Sequence, residues 1–163
     1  METTPGLNTA AAAARAKALA FIKKNFIGTI ATVSAAGAPQ ASMVYYACDD
    51  RFVIYFSTLT STRKYAAIQA HPVAAFTIST LDVPQTLQLE GAVSLVTEEE
   101  QMEQGIAQLI EPLMSNKNYQ WPVAKLSRAE VVLLRIVPTW VRWGDFANFE
   151  QGTERVFTEI SIG

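Results

Sequence analysis

Between Ile27 and Thr80 the chain is a succession of short apolar runs, each about the length of a strand and each closed by a turn signal. Ile27 to Ser34 leads into Ala35-Ala36-Gly37-Ala38-Pro39. Gln40 to Cys48 leads into the reversal Asp49-Asp50. Arg51 to Ser57 is apolar on nearly every residue, which predicts a strand covered on both faces. Runs of this kind, joined by a few Gly, Pro and Asp residues, read as a meander of antiparallel hairpins.

The rhythm continues downstream. Val73 to Thr80 and Thr86 to Val96 form the next pair of predicted strands, turned by Asp82-Val83-Pro84. Glu130 to Val137 is a further strand whose extended character Thr139 to Phe146 resumes, and Arg155 to Ile160 is a candidate last strand. Pro138 has no N–H to give to a ladder, so a bulge or an edge position is expected there. Six or seven strands with few helices suggest a closed or partly closed antiparallel barrel, because closure removes exposed edges. The class is mainly β with peripheral helices, and the 163 residues suit one domain.

The helices are expected over the barrel ends. Residues 1 to 8 read as a loose tail broken by Pro5 and Gly6, with Thr9 capping a helix from Ala10 to Phe26. Leu19, Ile22 and Phe26 give that helix an apolar face. A short helix is predicted over Thr62 to Ala70 and ends at His71-Pro72, since the residue before proline avoids helical geometry. Thr97 and Glu100 fit a capping box opening a third helix that runs to about Ile110. Ser115 to Lys125 reads as an irregular polar loop.

Composition narrows the function classes. Half of the residues are hydrophobic, 17% are charged, and the formal net charge is −2, so no general attraction to nucleic acid or anionic lipid is expected. One cysteine, Cys48, allows no internal disulfide and no cysteine-based metal cage, and one histidine, His71, allows no His-rich metal site. No apolar run has the length to span a bilayer, and no basic flank precedes an apolar stretch at the N-terminus. A cytoplasmic protein is the expectation. A glycine elbow around a serine, a Gly-x-x-x-x-Gly-Lys loop and a Gly-x-Gly-x-x-Gly turn are all missing.

The segment that stands out chemically is Ser57-Thr58-Leu59-Thr60-Ser61-Thr62-Arg63-Lys64. It joins an apolar strand to a short helix. Hydroxyls, two adjacent cations and the N–H groups of a helix start make it a plausible phosphate site. It reads equally as an ordinary polar loop with a solvated Arg-Lys pair. Thr86, Gln88 and Glu90 share one face of the predicted fifth strand, either a solvent face or a polar wall beside a planar ligand. Trp140, Arg142 and Trp143 form an aromatic–basic cluster, with Trp143 on the opposite face from the other two.

The ordered series Ile27-Gly28-Thr29-Ile30-Ala31-Thr32-Val33, Gly37 to Ser42, Ile54-Tyr55-Phe56-Ser57-Thr58, Ser61 to Ile68, His71-Pro72-Val73-Ala74 and Leu89-Glu90-Gly91 resembles the flavin-binding split-barrel family typified by pyridoxamine 5'-phosphate oxidase. The resemblance covers roughly residues 18 to 145. It implies a split antiparallel barrel of Greek-key type. It also implies a homodimer with flavin mononucleotide (FMN) at the subunit interface, acting on a small-molecule substrate. Arg63 and Lys64 match the family's phosphate-binding pair, and Thr62, with Ser61, matches the hydroxyl before it. Ser57 and Thr58 match strand-end positions that approach the cofactor. Met43, Val44 and Tyr45 match the segment whose backbone runs beside the flavin ring. Trp143 is expected to shape the pocket from the partner subunit.

The chain also departs from that pattern. Thr86 stands where the oxidases carry a glutamine, and Gln88 shares its face. Arg135-Ile136-Val137-Pro138 resembles a terminal motif of the oxidases, but their substrate-binding residues upstream are not evident and the chain continues beyond it. The resemblance therefore implies an FMN-dependent oxidoreductase of unassigned substrate, with no catalytic residue picked out. A haem- or cofactor-binding protein without catalysis, or a deazaflavin (F420)-dependent reductase, stands as the alternative on the same barrel.

Overall fold

A strand whose alternate side chains are apolar must lay one face on a core, and here a single curled sheet does so around its own interior. The computed structural model describes residues 5–99, 130–146 and 156–162, together with 103, 105, 107 and 109. The order is α1 (Pro5–Lys24), β1 (Ile27–Val33), β2 (Pro39–Tyr45), β3 (Ala47–Cys48), β4 (Ile54–Leu59), α2 (Arg63–Ala70), β5 (Val73–Thr80), β6 (Gln85–Leu95), β7 (Val131–Asp145) and β8 (Phe157–Glu159). The strands pair antiparallel in the order β2-β1-β5-β6-β7-β4-β3, with β8 added to β7. This is the mainly β split barrel that the sequence predicts.

The strand count differs from the expectation because one predicted strand is two. Gln40 to Cys48 breaks at Tyr46, so that β2 forms one edge of the sheet while β3, one residue later, forms the other. The chain itself thus crosses the split. Tyr46 is fixed there by its N–H, which donates to Phe26 O at 3.0 Å, and by its hydroxyl, which donates to Ile22 O at 2.7 Å. Burial raises the phenol's pKa, so it stays a donor.

Inward-facing Ile30, Val44, Ile54, Phe56, Phe76, Leu87, Leu89, Leu134, Ile136 and Val141 fill the barrel. From α1, Ala18, Phe21 and Ile22 close one end. This helix begins at Pro5, earlier than the expected Ala10, because proline is tolerated in a first turn where its missing N–H has no partner to lose. It ends at Lys24, two residues short of Phe26, whose carbonyl instead receives the Tyr46 N–H.

The β3–β4 turn is tied to α1. Asp49 Oδ1 accepts from the N–H groups of Arg51 (2.8 Å) and Val53 (2.9 Å), and Phe52 sits between them with φ of 62° and its ring fully buried. Arg15 covers that ring and donates to Asp50 O at 2.7 Å, while Lys23 pairs with the Asp50 carboxylate.

The bulge anticipated at Pro138 is present. Glu90 pairs with Trp140 and Gly91 with Pro138, so Thr139 is the extra residue. Gly91 is required: a Cβ there would collide with the carbonyl of Val137. β7 is one long strand across this kink. One of its edges pairs with β6. The other is covered first by β4, from Val131 to Ile136, and then by β8, from Arg142 to Gly144. Glu99, Glu103, Gly105, Ala107 and Leu109 are helical, in line with the third predicted helix, whereas Glu100 and the loop Ser115 to Lys125 lie outside the described residues.

Candidate functional site

The junction between β4 and α2 is built from its own hydroxyls. Thr62 takes the N-cap position with extended backbone (φ −81°, ψ 148°), and its Oγ1 accepts from Tyr65 N at 3.2 Å. The same hydroxyl donates to Leu59 O at 2.8 Å and lies 3.1 Å from Thr58 Oγ1. Thr58 is buried and faces inward; Ser57, its neighbour in β4, faces out and is half-buried. Ser61 is exposed in the turn. Four N–H groups at a helix start lack partners within the helix. Here Tyr65 N is satisfied by Thr62 Oγ1 and Ala66 N by Thr62 O. Those of Arg63 and Lys64 meet no acceptor among the described residues.

Both cations fall in the first turn, where the dipole disfavours positive charge, and that turn contains no acidic residue. Neither side chain enters an ion pair among the described residues. Arg63 is exposed. Lys64 is half-buried, and that burial alone lowers its pKa from the ordinary 10.5. The arrangement can take an anion through two side chains and two backbone donors. Met43, Val44 and Tyr45 lie in edge strand β2, which also touches β4 across the split. Met43 is 57% exposed on the outside, and Val44 points into the core.

The second group of predicted residues lies elsewhere. Register links Met43, Thr29, Thr77, Gln88 and Arg142 as one row over five strands on the barrel's outer face. Gln88 is thus three strand spacings from Met43, roughly 14 Å along the sheet. Thr86 shares the face, but its hydroxyl is engaged by Ile78 O (3.0 Å) and Ser79 Oγ (2.9 Å), which leaves Gln88 as the available amide. Arg142 donates to Gln88 Oε1 from Nε (3.2 Å) and Nη2 (2.6 Å). Its guanidinium lies 4.3 Å from the Phe157 ring centroid and 5.3 Å from that of Trp140. Trp140 Nε1 donates to Glu159 Oε1 at 3.2 Å.

Trp143, singled out in the sequence, faces the other way. It is 4% exposed and packs edge-on against Phe21, with ring centroids 4.9 Å apart. Its remaining surface lines an open cavity of about 490 Å³ between α1 and the β5–β6 turn, with Lys17, Lys24, Asn25, Gln85 and Asp145. That cavity sits at the opposite end of β5 from α2, about eight residues or roughly 25 Å away along the strand. Neither Arg63 nor Lys64 lines it, so it is distinct from the β4–α2 junction. Sequence reasoning did not pair Arg142 with Gln88. Alternation gave each a face of its own strand, but only the register of β6 against β7 sets them side by side.

Among the described residues no group of acidic, histidine or cysteine side chains could hold a metal, and no helix is long and apolar enough to cross a membrane. Cys48 is half-buried, and desolvation raises its thiol pKa, which disfavours the reactive thiolate.

A curled antiparallel sheet, split on one side and bridged by its own chain, with an anion-competent turn at the end of β4, defines a split-barrel protein. The sequence profile of pyridoxamine 5'-phosphate oxidase matches residues 14–142, and the chain belongs to that family. No curated protein sequence matches it. Solved structures share the fold. A conserved hypothetical protein from Mycobacterium tuberculosis is 21% identical with a TM-score of 0.65, over 85% of this chain and 92% of that one. A heme binding protein from Mycobacterium smegmatis is 17% identical with a TM-score of 0.68, over 99% of this chain and 60% of that one. An F420 reductase is 24% identical with a TM-score of 0.58, over 75% of this chain and 93% of that one.

Proposed function

We propose that the protein is a homodimeric FMN-binding flavoprotein of the cytoplasm, an oxidoreductase whose small-molecule substrate is unassigned. The observation that carries this is the uncompensated positive charge at the start of α2. Arg63 and half-buried Lys64 have no carboxylate in that turn, and two N–H groups stand beside them without a described acceptor. A dianionic phosphate offsets both charges and the dipole penalty at once. The donor set therefore fits the cofactor's tail.

In this reading Arg63, Lys64, Thr62 and Ser61 hold the phosphate. Ser57 and Thr58 approach the cofactor from the end of β4, and the Met43–Tyr45 backbone flanks the ring. Gln88 reads a ring edge. The resemblance implies a ring at a two-fold contact, and the roughly 14 Å between Met43 and Gln88 along one sheet favours Gln88 coming from the second subunit. Trp143 is buried against Phe21, so in this reading it shapes the pocket through the packing of β7 and not by stacking on the ring. When bound, flavin supplies hydride or electron transfer, while the protein orients it and tunes its electronics.

Two of the relatives named above favour one further reading each: F420 offers a comparable anionic tail and tricyclic ring, and haem offers carboxylates. The absorption spectrum of the purified protein and a titration with FMN, F420 and haemin separate them. Flavin bands and tightest binding of FMN are expected. A Soret band, or preference for haemin, overturns the assignment.

A further inference from the structure

Gln88 carries one acceptor oxygen and one NH₂ donor group, so in isolation it suits either kind of ligand atom. Its surroundings remove that freedom. A guanidinium has no acceptor, so the Arg142 side chain forces the amide oxygen towards itself whichever way an amide is first built. Two donors converge on that one oxygen, at 3.2 and 2.6 Å. Arg142 in turn has little freedom to leave. Its charged plane lies by the rings of Phe157 and Trp140, and Trp140 is held by Glu159. β8 supplies both Phe157 and Glu159, and it is anchored by its pairing with β7 and by buried Ile160, whose N–H donates to Val141 O at 2.9 Å.

We propose that Arg142 is a positioning residue that makes Gln88 a donor-only reader. The outer face of β6 then recognises a ring edge by its acceptors, a carbonyl oxygen or a bare ring nitrogen, and rejects an edge that presents N–H. The inference rests on the flavin reading and adds which atoms of the heterocycle Gln88 meets. It also assigns β8 a function, because without that strand the guanidinium loses two of its supports.

The test compares Gln88→Glu, Gln88→Leu and Arg142→Met by FMN fluorescence titration and thermal unfolding. In Gln88→Glu the carboxylate keeps the Arg142 contact and so keeps the fold, but it turns an acceptor to the ligand. FMN affinity is expected to fall about tenfold below that of Gln88→Leu, with no loss of melting temperature. A merely structural role gives the reverse order, with the leucine variant the weaker binder and the less stable. Arg142→Met frees the amide to rotate and is expected to weaken FMN several-fold. Competition of FMN by inorganic phosphate is expected to be the same in all variants, since the tail site is untouched. If the wild type binds FMN and the glutamate variant binds at least as well as the leucine variant, the proposal is overturned and the cofactor reading stands. If the wild type binds no FMN, both fall.

Discussion

The β4–α2 junction and the Gln88–Arg142 row are both polar surfaces of one barrel, but they are made in different ways. The junction is local. Thr58, Thr62 and Tyr65 lie within seven residues of one another, and the contacts of the two threonine hydroxyls stay within that segment. The row is assembled over distance: Gln88 and Arg142 are 54 residues apart and meet only through strand register. A local site survives small errors of packing and can be read as a motif. A site made by register depends on the sheet being correct everywhere between its parts.

The hardest test of that contrast is Gly91→Ala. The new methyl would press on the Val137 carbonyl at the bulge, so a loss of about 3 kcal/mol or more is expected in denaturant unfolding. Partial rescue would come only by slipping the register that joins Gln88 to Arg142. Phosphate competition at α2 should then outlast recognition of the flavin ring. Equal loss of both functions would erase the distinction between the two regions.

Next in size is Arg63→Ala combined with Lys64→Ala. Removing two charge-assisted contacts is expected to lower FMN affinity about a hundredfold with the melting temperature almost unchanged. Unchanged affinity in that titration would remove the junction from the site.

The smallest effect is the most diagnostic of Lys64. Burial lowers its pKa below 10.5, so the folded state carries a penalty that is full below the lowered value and fades as pH climbs towards 10.5. Lys64→Met is therefore expected to raise the stability of the ligand-free protein at neutral pH, by no more than about 0.5 kcal/mol, and to lose that advantage in alkaline solution. In the presence of phosphate the order should invert. A stability gap that does not narrow with pH would mean that the ammonium is not the source of the penalty.

The same contrast explains what was legible in the sequence. Each hairpin from Ile27 to Leu95 announces itself through alternation and turn residues, and Thr62 and His71 bracket α2 by known capping chemistry. Pro138 marked the bulge because a missing N–H is visible in one letter. Tyr46 did not mark the break between β2 and β3, since nothing in an apolar run says where it leaves one edge for another. Trp143 was linked to the cofactor by resemblance, although alternation already set it opposite Trp140; the packing of Phe21 from α1 decides which face is core. Arg142 stayed unassigned because parity gives a face but not a neighbour.

The crossing at Tyr46 has a consequence for how the molecule fails. Most barrels are sealed by hydrogen bonds, which can reopen, but here the two margins of the sheet are joined by a peptide linkage and latched to α1 by a phenol. Tyr46 is buried, so a cut there needs the latch to open first, and it would then release both margins together. β2 and β3 are already the sheet's edges, and without the tether they would be free to swing apart and recruit strands from other molecules, so polymerisation and not simple unfolding is the damage to watch for at this position.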